Sequence, residues 1–119
     1  MLIPKTVAEG VKQAGGLRGL GRSFPSAKHI NRASVTFQSL SDPIRLSILY
    51  ALSVTPLCVC IMKSLVKISD SKLSYHLDNL KSAGLVSRER EGKFLVYRIT
   101  ELGRMVLSAC DRTGPAVTA

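Results

Sequence analysis

Three cysteines, Cys58, Cys60 and Cys110, are the residues of this 119-residue chain with the most reactive chemistry available to them. An odd thiol count with no secretory signal reads as a reduced, cytoplasmic set rather than a disulfide framework. Soft thiolates select soft acceptors: arsenite, antimonite, cadmium, lead or mercury. Cys58 and Cys60 lie two residues apart, which on an ideal helix separates them by about 200°. One ion can bridge both only if the first turn there is extended or distorted. Cys110 could complete a three-sulfur site, within one chain or across a dimer, or could be a small buried apolar residue. A Cys58–Cys60 disulfide would strain the preferred geometry.

A second set of residues could read DNA. Seventeen Lys and Arg against eight Asp and Glu give a formal charge of +9, which favours a polyanionic partner, nucleic acid before an anionic membrane surface. Residues 1–35 hold six bases against Glu9 alone, and residues 36–119 hold eleven against seven acids. Ser71 and Lys72 precede Leu73, and Ser74, Tyr75, His76 and Asn79 fall between Leu73, Leu77 and Leu80. If the leucines face a core, these polar side chains are free to face outward toward bases or phosphates. Arg88, Arg90 and Lys93 cluster farther along. His76 has no acid or cysteine at close spacing, so it reads as a DNA contact or a cap on local packing.

The elements that must position these residues follow from punctuation and period. Ser41-Asp42-Pro43 starts a helix, with Pro at the first helical position, and Ile44, Ile48, Leu49 and Leu52 make its apolar face. After Pro56 a short helix is expected over about 57–66, with Leu57, Ile61, Leu65 and Val66 inward. Ser69-Asp70-Ser71 opens a third helix, whose stripe is Leu73, Leu77 and Leu80 and whose end is Gly84. These two consecutive helices form a helix-turn-helix pattern. The period then changes to two: residues 85–90 and 93–99 read as strands joined through Glu91-Gly92, a wing. Thr100-Glu101 caps a last helix with Leu102, Met105, Val106 and Cys110 on one side, a face suited to a second chain. The expected fold is mainly α with a β-hairpin wing, a winged helix-turn-helix, dimeric, over residues 35–113, with a tail at 114–119. Residues 1–34 form a basic leader whose glycines and prolines break any sustained helical pattern. It reads as a flexible DNA-binding arm, a transit-like peptide, or a poorly ordered tail.

Several classes are excluded. The longest apolar stretches, 57–62 and 48–52, fall far short of the roughly 18 residues of a membrane span, so no membrane partner is expected. No nucleophile–base pair, phosphate loop or paired carboxylates appear, so neither an enzyme nor an organic substrate is expected.

Leu40-Ser41-Asp42-Pro43-Ile44-Arg45-Leu46, Leu57-Cys58-Val59-Cys60, Ser71-Lys72-Leu73-Ser74-Tyr75-His76-Leu77, residues 80–86 and the run from Gly92-Lys93 to Thr100 resemble, in order and spacing, the ArsR/SmtB family of metal-responsive repressors. The resemblance covers about residues 36–107. It implies a homodimeric winged-helix repressor that leaves operator DNA when a metal ion or metalloid binds, with no permanently bound cofactor. The Leu-Cys-Val-Cys box is similar to that of arsenical- and cadmium-responsive members. Where the arsenical pattern continues Asp-Leu-Cys, this chain has Ile61-Met62-Lys63, so the third local thiol is missing, as is the acidic residue zinc sensors use there. Residues 1–35 lack the cysteines that cadmium sensors add, and the last helix lacks histidine. The resemblance therefore implies arsenite or antimonite first, and disfavours zinc. Two alternatives remain: a thiol-redox-responsive repressor, in which the partner of Cys110 would fall near Tyr50, and an effector-independent basic DNA-coating protein.

Overall fold

The computed structural model describes residues 2–111, and the expected tail at 114–119 lies outside them. The chain divides into two compact units, residues 1–33 and 34–119. The first contains α1 (Lys5–Gln13), α2 (Gly16–Arg22) and the start of α3 (Ala27–Leu40). The glycines and prolines of this segment thus interrupt any sustained helix while leaving short helices between them. Gly15 and Gly16 sit at the α1–α2 junction with φ of 92° and 78°, and Pro4 and Pro25 precede helices, so these breakers delimit short helices instead of preventing them.

In the second unit, α4 (Pro43–Val54) starts where the sequence places it. The Asp42 carboxylate accepts hydrogen bonds from the backbone N–H groups of Ile44 (2.8 Å) and Arg45 (3.1 Å), with Pro43 at the first helical position. Burial pushes the Asp42 carboxyl up, but the bonds from Arg45 and Ile44 outweigh it and its pKa is lowered from 3.8. With its folded value depressed, the stability this cap contributes is present above the unfolded value and lost as pH falls through the folded one. Ile48, Leu49 and Leu52 are fully buried.

The next segment differs from the expected helix. Leu57 and Cys58 form a short strand, β1, paired antiparallel with the last strand through Leu57↔Tyr97 and Cys58↔Val96. Their backbone groups are therefore used across strands, and helix α5 (Val59–Val66) begins two residues later, with Cys58 as its extended N-cap. The inward face shifts with it: Met62 is buried, Leu57 and Val66 pack at the core's margin, and Ile61 and Leu65 are exposed.

Lys67, in the left-handed region with φ 52° and ψ 51°, ends α5. Ser69 then caps α6 (Asp70–Ser82) by accepting from Lys72 N–H at 3.3 Å. Leu73, Leu77 and Leu80 bury as their spacing predicts. Gly84, φ 77°, closes the helix: Leu85 N–H donates back to the Leu80 carbonyl and Gly84 N–H to that of Lys81, a glycine-dependent C-terminal stop.

The wing strands are β2 (Val86–Glu91) and β3 (Phe94–Ile99), in a sheet ordered β1-β3-β2. Glu91 pairs with Phe94, so the two-residue turn is Gly92-Lys93, one position later than expected. Helix α7 (Glu101–Asp111) is capped by Thr100, whose Oγ accepts from Gly103 N–H and donates to the Gly84 carbonyl. Its buried line is Gly103 and Leu107, with Val106 and Cys110 half-buried, whereas Leu102 and Met105 are exposed. Gly103 lies so close to Leu85, just before β2, and to Ile99 of β3 that a Cβ would stand 2.5 Å from the Leu85 carbonyl oxygen and 2.7 Å from Ile99 Cγ1. Among the described residues no helix is long and apolar enough to cross a membrane.

Candidate nucleic-acid interface and thiol site

Helix α6 presents Ser71, Lys72, Ser74 and Tyr75 to solvent along its N-terminal half, opposite the buried leucines. Arg88, Arg90 and Lys93 are exposed on the wing, and between the arginines Glu89 is engaged by Arg98 at 3.0 Å. Asn79 is half-buried, and its side-chain amide donates to the Tyr75 carbonyl at 2.9 Å. The N-terminal half of α6 and the wing thus offer hydrogen-bond donors and cations, the chemistry a recognition helix and a phosphate-contacting hairpin require.

His76 departs from the expected outward face, being only 8% exposed. Its Nδ1 accepts a hydrogen bond from Arg45 Nε at 3.0 Å, and Arg45 also donates to the Ser39 carbonyl at 3.3 Å. The Arg45 guanidinium carbon stands 5.7 Å from the centre of the Tyr75 ring, a cation–π approach, and Tyr75 meets the His76 ring edge-on. Of the two roles open to His76, DNA contact or local packing, the structure places it in the second. Arg45 is the residue that sequence reasoning missed: its partner is 31 positions away, and no local period signals the pairing. It links α4 to α6 next to the exposed Tyr75. His76→Leu leaves the Arg45 Nε donor half-buried without its acceptor, an expected loss of about 1–3 kcal/mol in unfolding free energy by denaturant titration.

The extended conformation of Cys58 removes the obstacle posed by helical spacing. Cys58 Sγ and Cys60 Sγ approach to 3.0 Å, and neither is in a disulfide. The side-chain hydrogen bond with Cys60, together with the Ile61 and Cys60 backbone N–H groups at the start of α5, lowers the Cys58 pKa. The same hydrogen bond, with burial and the neighbouring Cys58 charge, raises that of Cys60. The pair is therefore asymmetric: Cys58 ionises first and Cys60 keeps its proton longer.

The thiols open into a cleft of about 440 Å³ whose other walls include Lys63, Asp70, Lys93 and Phe94. Lys63 Nζ and Asp70 Oδ1 form an ion pair at 2.7 Å, tying α5 to the first turn of α6. Lys93 and Phe94 bring the turn end of the wing to the same cleft. Cys110 is not brought to this pair. Among the described residues no group of three His, Cys, Asp or Glu side chains is placed to hold a metal ion, which corrects the within-chain three-sulfur site. Tyr50, where a redox partner for Cys110 would be needed, instead donates its hydroxyl to Asp111 at 2.6 Å; that hydrogen bond raises its pKa.

Comparison with known proteins bears on the helix-turn-helix region. Residues 42–88 match the profile described as bacterial regulatory protein, arsR family. The chain is 36% identical over 66 residues to a cadmium resistance transcriptional regulatory protein CadC homolog of Staphylococcus aureus, covering 55% of this chain and 54% of that one. It is also 36% identical over 66 residues to the arsenical resistance operon repressor of Bacillus subtilis, covering 55% and 63%. The matched region thus spans between half and two-thirds of these relatives. The homodimeric winged helix-turn-helix DNA-binding domain of a Mycobacterium bovis protein superimposes with a TM-score of 0.65 at 26% identity, over 76% of this chain and 92% of that one.

Proposed function

We propose that this chain, whose residues 42–88 match the profile of the arsR family of bacterial regulatory proteins, is a homodimeric, cytoplasmic transcriptional repressor. It binds operator DNA through α6 and the wing, and leaves when a trivalent arsenic or antimony centre takes Cys58 and Cys60. The observation that carries the effector assignment is the 3.0 Å approach of the two sulfurs. The names of its relatives, arsenical and cadmium resistance regulators, point to thiophilic ions as a class. Four-coordinate zinc or cadmium is poorly served by two thiols, whereas pyramidal arsenic tolerates two thiolates and a third small ligand.

The mechanism uses this chain's own asymmetry. The Cys58 thiolate attacks first and Cys60 follows as its proton leaves. Both sulfurs sit where strand β1 becomes helix α5, so fixing them to one centre constrains β3 of the wing on one side. On the other side it constrains α5, with its Lys63–Asp70 tie to the recognition helix. A ligand that favours one arrangement of these elements changes DNA affinity by its differential binding.

Two-fold protein symmetry predicts an imperfect palindrome as the operator. Fluorescence anisotropy on such a site, with arsenite, antimonite, cadmium, zinc and an oxidant titrated in parallel, tests the reading. Release by arsenite and antimonite at concentrations where zinc and oxidant have no effect is the expected result. A monomer without palindrome preference, or release by oxidant alone, rejects it.

A further inference from the structure

Resting on that reading, we propose that the effector is a trivalent arsenic centre already bearing one carbon substituent, a monoalkyl or monoaryl arsonous acid, with Phe94 as the residue that selects it. Three observations meet at the cleft. The first is the separation of the sulfurs. Taking about 2.3 Å for a thiolate bond, a linear two-coordinate ion holds its sulfurs roughly 4.6 Å apart, while a centre with near-right angles holds them roughly 3.3 Å apart. The observed 3.0 Å fits the pyramidal centre and excludes the linear one without rearrangement.

The second is the ligand count. The chain supplies two thiols here, and among the described residues no third His, Cys, Asp or Glu joins them. Inorganic arsenite would leave its third position to oxygen or an outside thiol. A monoorgano centre needs two thiolates and no more.

The third is what lines the remaining position. Val59 and Leu95 are half-buried beside the thiols, and Phe94 is 53% exposed at the start of β3. The Phe94 ring carries neither charge nor hydrogen-bond donor with which to hold a phosphate. Beside the sulfurs it provides an apolar wall for a methyl or phenyl group. The chemistry balances without a redox step. Two As–O bonds break and two As–S bonds form. The two thiol protons leave with the hydroxyls as two waters, while the As–C bond and the trivalent state are kept.

The test uses the full chain, reduced with a phosphine so that no buffer thiol can act as third ligand. The probes are phenylarsine oxide, methylarsonous acid and sodium arsenite. Native mass spectrometry should show one organoarsenic group per chain, absent in Cys58→Ser and in Cys60→Ser. Anisotropy should show half-release of operator by phenylarsine oxide at about tenfold lower concentration than by arsenite, and Phe94→Ala should narrow that gap to about threefold without moving the arsenite value. Arsenite acting at equal or lower concentration than both organic probes overturns the carbon-substituent proposal and leaves the two-thiol repressor reading standing. Failure of all three probes to modify Cys58 and Cys60 removes both.

Discussion

Cys58→Ser and Cys60→Ser proteins are each expected to bind operator like the wild type and to lose release by arsenite. The thiol cleft borders Lys93 of the wing and Asp70 of α6, but the thiols themselves belong to β1 and α5, so a serine there removes a ligand while leaving Ser71, Lys72, Ser74 and Tyr75 in place. Removing a supporting residue from a metal site typically costs 10–100-fold in affinity; removal of one of two direct ligands should shift half-release by more than about 100-fold. The two variants should differ in kinetics. Cys58, whose pKa is lowered by the Cys60 hydrogen bond and the N–H groups at the start of α5, is expected to be the first nucleophile. Capture by the wild type should slow as pH falls through its lowered value, because only the thiolate attacks. Stopped-flow capture of arsenite against pH reads this directly. Wild-type response in both serine variants would place the effector elsewhere.

Leu77→Ala is expected to destabilise the protein by about 2–5 kcal/mol, the range for emptying a fully packed leucine site. Leu77 is 1% exposed and anchors the recognition helix between α4 and the wing. The comparison that gives this number meaning is Leu65→Ala. Leu65 is 57% exposed, although a helix beginning at residue 57 would have turned it inward. Its loss should stay within about 0.5 kcal/mol. Urea unfolding of both variants at equal protein concentration, so that any dimer contributes equally, separates them. Comparable losses at the two positions would mean that α5 packs with the face expected from periodicity alone.

Local rules written into the chain determined the winged helix-turn-helix itself. The Asp42-Pro43 cap, the Leu73-Leu77-Leu80 stripe, the Gly84 stop and the change of period after it each act over a few residues, so they are legible one segment at a time. Those segments also put Ser71, Lys72, Ser74 and Tyr75 on the outer face of α6 without reference to any distant contact. Tertiary structure decided what depends on pairing across the chain. Leu57 and Cys58 became a strand because β3, some forty residues later, offers a partner; that single pairing delayed α5, turned Met62 in and Leu65 out, and swung two thiols into reach of each other. His76 was drawn inward because Arg45, on another helix, supplies the donor that lets a polar ring be buried. The leader's glycines ended up delimiting short helices for a related reason. Propensity states what breaking a helix costs at each residue, but where the break falls is settled by which turns the surrounding chain can accept. Cys110 stayed apart from the other thiols because α7 is positioned by Gly103 against β3, a contact defined by a missing side chain and thus invisible to any pattern of the side chains present.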